Sequence, residues 1–265
     1  MNHNVESRSD NRLISVIGAL AATLVFLLLI VWIGGLINPN LKLDQTGLLR
    51  FVFVIIGLLI VFVVYLATRS SNIWQVGTRE VVYMAIGAAL YAIFSYIFNG
   101  TVFLVPSISQ VALRPAIVIP MFFGYTFGPA VGFFTGAVGN MFGDALTGFG
   151  LSPQWSIGNG LIGMIAGMVW LFKDKKRSMD TVLIAGAVLA VLATVIYLLN
   201  RSQANLVYFN EAENAFGDQP ITLFAGLSVI VGLVLVLVVR FLFGRNVDIA
   251  AAVTWGMLGN LIGLA

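Results

Sequence analysis

Long apolar runs separated by short polar intervals set the pattern of this chain. Nine runs stand out, at residues 13–36, 49–68, 78–98, 113–127, 129–146, 156–172, 181–199, 221–243 and 248–265. A helix rises about 1.5 Å per residue, so about 20 apolar residues cross about 30 Å of hydrocarbon. Most of the runs meet that length. The run at 113–127 is short and opens just before Arg114-Pro115; it is expected to be tilted, broken or re-entrant. The run at 248–265 reaches the end of the given chain with no polar flank, which leaves a full crossing and a shorter or flat-lying helix both open.

The polar intervals orient these runs. KDKKRSMD at 173–180 carries Lys173, Lys175, Lys176 and Arg177 against Asp174 and Asp180. Basic intervals stay on the cytoplasmic side. Counting outward from this one places 69–80, Arg240, Arg245 and the N-terminus in the cytoplasm. The intervals 37–48, 99–112, 147–155 and 200–220 face out, the last with Arg201 against Glu211, Glu213 and Asp218. The run after Arg12 is longer than a signal-peptide core and has no clean small-residue cleavage site, so it is expected to be a retained anchor.

Composition removes whole classes of function. Of 265 residues, 60% are hydrophobic and 9% charged, with a mean hydropathy of +1.01. A soluble domain carries about 25% charge, so the reading is a polytopic, all-α integral membrane protein whose first partner is the lipid bilayer. There are no cysteines, and His3, in a polar tail, is the only histidine. Neither a metal site of the usual kind nor thiolate chemistry is expected, and no cofactor. A net charge of +3 gives no reason to expect a nucleic-acid partner. No phosphate-binding glycine loop or catalytic triad occurs, so any ATP-driven step belongs to another chain. Texture divides the sequence into residues 1–75, a tail with two additional apolar spans, and residues 76–265, where glycine and alanine become dense.

Several constellations carry chemical content. Gly132, Gly136, Gly139 and Gly143 form one helical stripe, suited to close helix approach where lipid supplies no hydrophobic drive. Asn140 and Asp144 lie beside it. A charge within the bilayer faces the bundle interior or water, so Asp144 is expected near the outer rim. There it either clamps Arg114 or borders an outward-facing pocket. The interval 99–115 is apolar, with two prolines, and holds Ser109 and Gln110; it reads as a lid. Trp155, Ser156 and Asn159 follow at the outer start of a later helix. Such aromatic surface and amide groups suit a flat, weakly polar small molecule, although Trp155 alone also fits an interfacial anchor. Ala85, Ala88, Ala89 and Ala92 make two overlapping Ala-x-x-x-Ala pairs, for internal packing or for docking a partner helix. WSIGNGLIGMIAG at 155–167 is echoed by WGMLGNLIGLA at 255–265, through duplication or convergent packing.

Taken in order, REVVYMAIGAALYAIFS, LRPAIVIPMFFGYTFGPAVGFFTGAVGNMFGDALTG and WSIGNGLIGMIAG resemble the substrate-binding S components of energy-coupling factor vitamin transporters, the riboflavin-type members most closely. The resemblance implies a six-helix core without an ATPase that binds a small organic nutrient, riboflavin among the candidates, near the outer face. It implies docking onto a transmembrane coupling subunit that carries two cytosolic ATP-binding subunits. It assigns ligand binding to Ser109, Gln110, Arg114, Asn140, Asp144, Trp155 and Asn159, and docking to Ala85, Ala88, Ala89 and Ala92. It implies no enzymatic activity. This chain departs from the pattern in its two additional N-terminal spans and in having seven runs from residue 78 onward. The rival readings are a non-transporting membrane scaffold or assembly protein, and a membrane enzyme acting on lipid or quinone, which lacks paired catalytic groups beyond Asp144.

Overall fold

The computed structural model describes residues 3–37, 51–98, 102, 107–108, 111–112, 114–147, 151–200 and 223–263. Its helices follow the apolar runs: α1 (His3–Ile37), α2 (Phe51–Thr68), α3 (Thr78–Phe98), α4 (Val118–Phe127), α5 (Pro129–Thr147), α6 (Pro153–Gly167), α7 (Lys175–Leu199), α8 (Leu223–Leu242) and α9 (Val247–Gly263). Single 3₁₀ turns precede α3, precede α4 and extend α6. Two strands of two residues each, β1 (Ser107–Ile108) and β2 (Val111–Ala112), pair antiparallel in the interval between α3 and α4.

Local chemistry sets the helix ends. Glu80 reaches back to accept from the Gly77 N–H at 2.9 Å, satisfying a donor ahead of α3. Asp174 caps α7 by accepting from the N–H groups of Lys176 and Arg177 at 2.9 and 3.2 Å. This cap starts α7 at Lys175, six residues before the apolar run begins, because the helix continues beyond the lipid into its basic flank. Asn246 accepts from the Ile249 N–H at 3.2 Å and starts α9 in the same way. Between α4 and α5 the chain reverses at Gly128, whose φ of +103° favours a residue without a Cβ. The short run at 113–127 becomes a 3₁₀ turn and the ten-residue α4.

Helix α6 is the axis of the bundle, buried along nearly its whole length. It packs against α5, α9, α4 and α2. Glycines bring these backbones together: a Cβ on Gly132 would strike the Gly163 carbonyl, and one on Gly136 the Asn159 carbonyl. On its other side Gly263 meets Gly158, and a Cβ on Gly259 would lie 2.7 Å from the Ile162 carbonyl. Helices α6 and α9 therefore run antiparallel, and the echoed segments face each other. Both sequences present glycine to one shared seam, which is a physical reason for their likeness. Helix α2 seats on α6 where Gly57 receives Ile157. Helix α1 rests on α2 and contributes Leu27 and Val31 to the main apolar cluster.

Five helices, α1 (from Val16), α2, α3, α7 and α8, are long and apolar enough to cross a bilayer. The protein is a multi-pass helical membrane protein. Seven helices follow residue 76 among the described residues, and α9 packs against both α6 and α7. Peripheral α8 contacts chiefly α7 and α9.

Candidate functional site

At the end of the bundle where α5 finishes and α6 begins, a chain of polar side chains crosses the helix interface. Asn159 Nδ2 donates to Asn140 Oδ1 at 2.6 Å, and Asn140 Nδ2 donates to Asp144 Oδ2 at 2.8 Å. The same Asn140 nitrogen lies 3.4 Å from Ser156 Oγ, whose hydroxyl donates to the Ser152 carbonyl at 3.3 Å. Asn140, Asp144, Ser156 and Asn159 are all buried. A buried amide is tolerated when its hydrogen bonds are made, and here two helices supply each other's partners. The glycine stripe makes this possible: without a Cβ on Gly136, the α5 and α6 backbones approach closely enough for the amides to meet.

Arg114 stands at the mouth of this cluster, just before the turn that leads into α4. Its guanidinium lies over the Trp155 ring, 5.9 Å from the centroid. It makes no ion pair with Asp144, and its charge reaches the carboxylate only through space. The direct Arg114–Asp144 clamp is thus replaced by an arginine held on an aromatic face and a carboxylate held by an amide. The position of Asp144 in the last turn of α5, beside this cation, limits the cost of a charge at that depth.

Five of the sequence-predicted site residues, Arg114, Asn140, Asp144, Trp155 and Asn159, come together here. Ser109 and Gln110, between the two short strands, lie outside the described residues. Helix α3 adds residues that the candidate set omitted. Tyr91 is buried against Gly139 and lies within the electrostatic reach of both Arg114 and Asp144. Ser95, one turn on, packs against Gly143. The Ser95 and Thr135 hydroxyls are buried without a hydrogen-bond partner among the described residues. A signal for Tyr91 and Ser95 was present, since Ala88, Tyr91, Ala92 and Ser95 form one helical row.

The four alanines divide by face. Ala88 and Ala92 are buried, set against Gly139 and Gly143 of α5. They serve internal packing and are not free to meet a partner helix, which corrects their place in the docking set. Ala85 and Ala89 are exposed on the opposite face of α3.

The bundle thus carries a buried polar cluster at one end, and its described residues hold no group of three or more potential metal-ligating side chains. The chain belongs to the ECF-type riboflavin transporter S component family, whose model matches residues 75–242, the stretch from just before α3 to the end of α8. Such S components are non-catalytic substrate-binding subunits. Among curated proteins the chain is similar to a UPF0397 protein of Vibrio atlanticus, 38% identical over 90 residues covering 34% of this chain and 47% of that one. It is also similar to a UPF0397 protein of Aliivibrio fischeri strain MJ11, 36% identical over 94 residues covering 36% and 49%. A third, from Photobacterium profundum, is 37% identical over 93 residues covering 35% and 49%. The chain spans about half the length of the curated relatives it matches. No solved structure gives a significant match.

Proposed function

We propose that this protein captures riboflavin, or a closely related flat, weakly polar nutrient, at the outer face of the cell membrane for uptake driven by ATPases on partner chains. The observation that carries the reading is the convergence of Asn140, Asp144, Arg114 and Trp155 at one end of a family-matched bundle. Asp144 offers an acceptor for ligand N–H or O–H groups. Arg114 offers donors, and Trp155 an aromatic face. The basic intervals at the other end support an outward-facing site by the positive-inside rule. Ser109 and Gln110 belong to the same proposed site, on the lid between α3 and α4. A transmembrane coupling subunit would dock on the exposed face of α3, where Ala85 and Ala89 let a helix approach closely, and would carry the two cytosolic ATP-binding subunits. Residues 1–75 form an accessory pair of spans in this reading, and residues 76–265 the S-component unit.

One observation favours a second role for part of the cluster. Asn140 and Asn159 satisfy each other, so their first duty is to clasp α5 to α6. The experiment is a fluorescence-quenching titration with riboflavin on the purified chain and on R114Q and D144N, with thermal unfolding measured in parallel. Under this reading both variants lose riboflavin affinity by about tenfold or more, as expected for loss of a charged hydrogen-bonding group, while R114Q keeps its stability. Failure of the unaltered chain to quench riboflavin fluorescence, with no small molecule released on denaturation, would overturn it.

A further inference from the structure

At the end of the bundle opposite the Asn140 cluster, α7 and α8 are joined by an ion pair. Arg240 Nη2 donates to Asp180 Oδ1 at 2.8 Å. Lys176 and Arg177 precede Asp180 by four and three residues, so they lie one turn below it on the same face of α7, and both are exposed. Arg245 follows the end of α8 and is also exposed. Lys176, Arg177 and Arg245 form no ion pair among the described residues. The neighbouring Lys175 is occupied elsewhere, bonded to Asp248 at 2.6 Å. The backbone N–H groups at the start of α7 are partly taken by Asp174, so an anion here would be met by side chains. The seam holds four cations and two carboxylates, Asp180 paired with Arg240 and Asp174 turned to the backbone N–H groups that it caps.

The same seam continues as an apolar surface toward the hydrocarbon. Ile184 and Val188 extend the row of Asp180 at four-residue intervals, both exposed, and Phe241, beside Arg240, is 88% exposed. A soluble anion uses the cations and leaves this surface idle. An amphiphile with an anionic head uses both.

We propose that the α7–α8 seam binds an anionic phospholipid, its phosphate held by Lys176, Arg177 and Arg245 and an acyl chain lying along Ile184, Val188 and Phe241. Arginine and lysine are the ordinary phosphate donors, and basic residues at a bilayer surface each strengthen attraction to anionic lipid. The site does not depend on which nutrient the opposite end takes.

The test is native mass spectrometry of the full chain released from vesicles of equal phosphatidylglycerol and phosphatidylcholine, with K176Q/R177Q, R245Q and the control R79Q. Arg79 lies at the start of α3, paired with Glu80. The expected result is preferential retention of phosphatidylglycerol. Retention should weaken about fivefold for each seam cation removed, stay unchanged in R79Q, and remain in the charge-preserving K176R/R177K. Equal retention by the seam variants and the unaltered chain would overturn the proposal, as would an equal loss in R79Q, which would mean diffuse surface charge. If the seam variants keep their lipid but lose co-purifying ATP-binding subunits, the seam is a protein-docking face and the proposal fails. Riboflavin binding by the same variants separates this outcome from failure of the functional reading, since none of them touches the Asn140 cluster.

Discussion

Asn140 uses both ends of its amide, accepting from Asn159 and donating to Asp144, so its loss leaves two buried polar groups without their partner. The desolvation cost of each falls on the folded state. N140A is expected to lower unfolding free energy by about 1–3 kcal/mol, measured by denaturant unfolding in mild detergent. N159A should show a smaller loss, because it leaves the Asn140–Asp144 bond intact. Equal losses would mean that Asp144 finds another partner when Asn140 is removed. The sequence made Asn140 and Asp144 legible as a pair, since a spacing of four residues places them on one helix face. It did not reveal that Arg114 turns to Trp155, because both the ion pair and the cation–π contact need only residues near one helix end, and spacing carries no side-chain direction. Tyr91 and Ser156 stand in legible places on their own helices, but that they meet Gly139 and Asn140 depends on how α5 packs against α3 and α6, which spacing within one helix does not state.

Helix α3 shows what a single element discloses and what it withholds. Its bounds follow the apolar run, and its alanine spacing was plain. Which alanines face inward depends on where α5 lies, and that is a tertiary fact. Ala88 and Ala92 back onto the glycines of α5, while Ala85 and Ala89 face away. Leucine at Ala88 would have to fit where Gly139 already meets the α3 backbone, so A88L is expected to lose about 1–3 kcal/mol through overpacking. A85L, on the open face, should stay within about 0.5 kcal/mol of the unaltered chain and instead reduce co-purification with a coupling subunit. Thermal unfolding and affinity co-purification of the two variants check this. Equal stability losses would mean that the exposed face of α3 is covered within the chain's own fold. The same reasoning applies to α6 and α9. Their echoed sequences were visible, but that they pack on each other through Gly158, Gly259 and Gly263 was not.

At the scale of the whole molecule, two chemically different ends emerge. The amides and Asp144 gather at one, and the pairs Lys175–Asp248 and Asp180–Arg240 at the other. The charge intervals in the sequence anticipated which segments share an end, because each crossing inverts the chain and the signs alternate with it. They did not anticipate the order of packing, in which α6 becomes the axis and α8 is left at the edge, since hydropathy records contact with lipid and not choice of neighbour. Which end faces the cytoplasm rests on the basic residues alone, and the absence of cysteine from the sequence makes it directly measurable. Ser178, within the basic interval, is a poor probe: it is buried, and its hydroxyl accepts from Trp255 Nε1 at 3.2 Å. A cysteine there would report burial. Lys173 and Val102 are both exposed and lie at opposite ends of the bundle. A membrane-impermeant maleimide added to intact cells should label V102C and spare K173C, and permeabilisation should make K173C reactive. Carrying four basic residues of 173–180 across the membrane is disfavoured, so the reverse labelling pattern would place the Asn140 cluster in the cytoplasm and overturn outer-face capture. Labelling of both in intact cells would mean that the number of crossings between α3 and α7 is even, which would require α4, the shortest helix of the bundle, not to span.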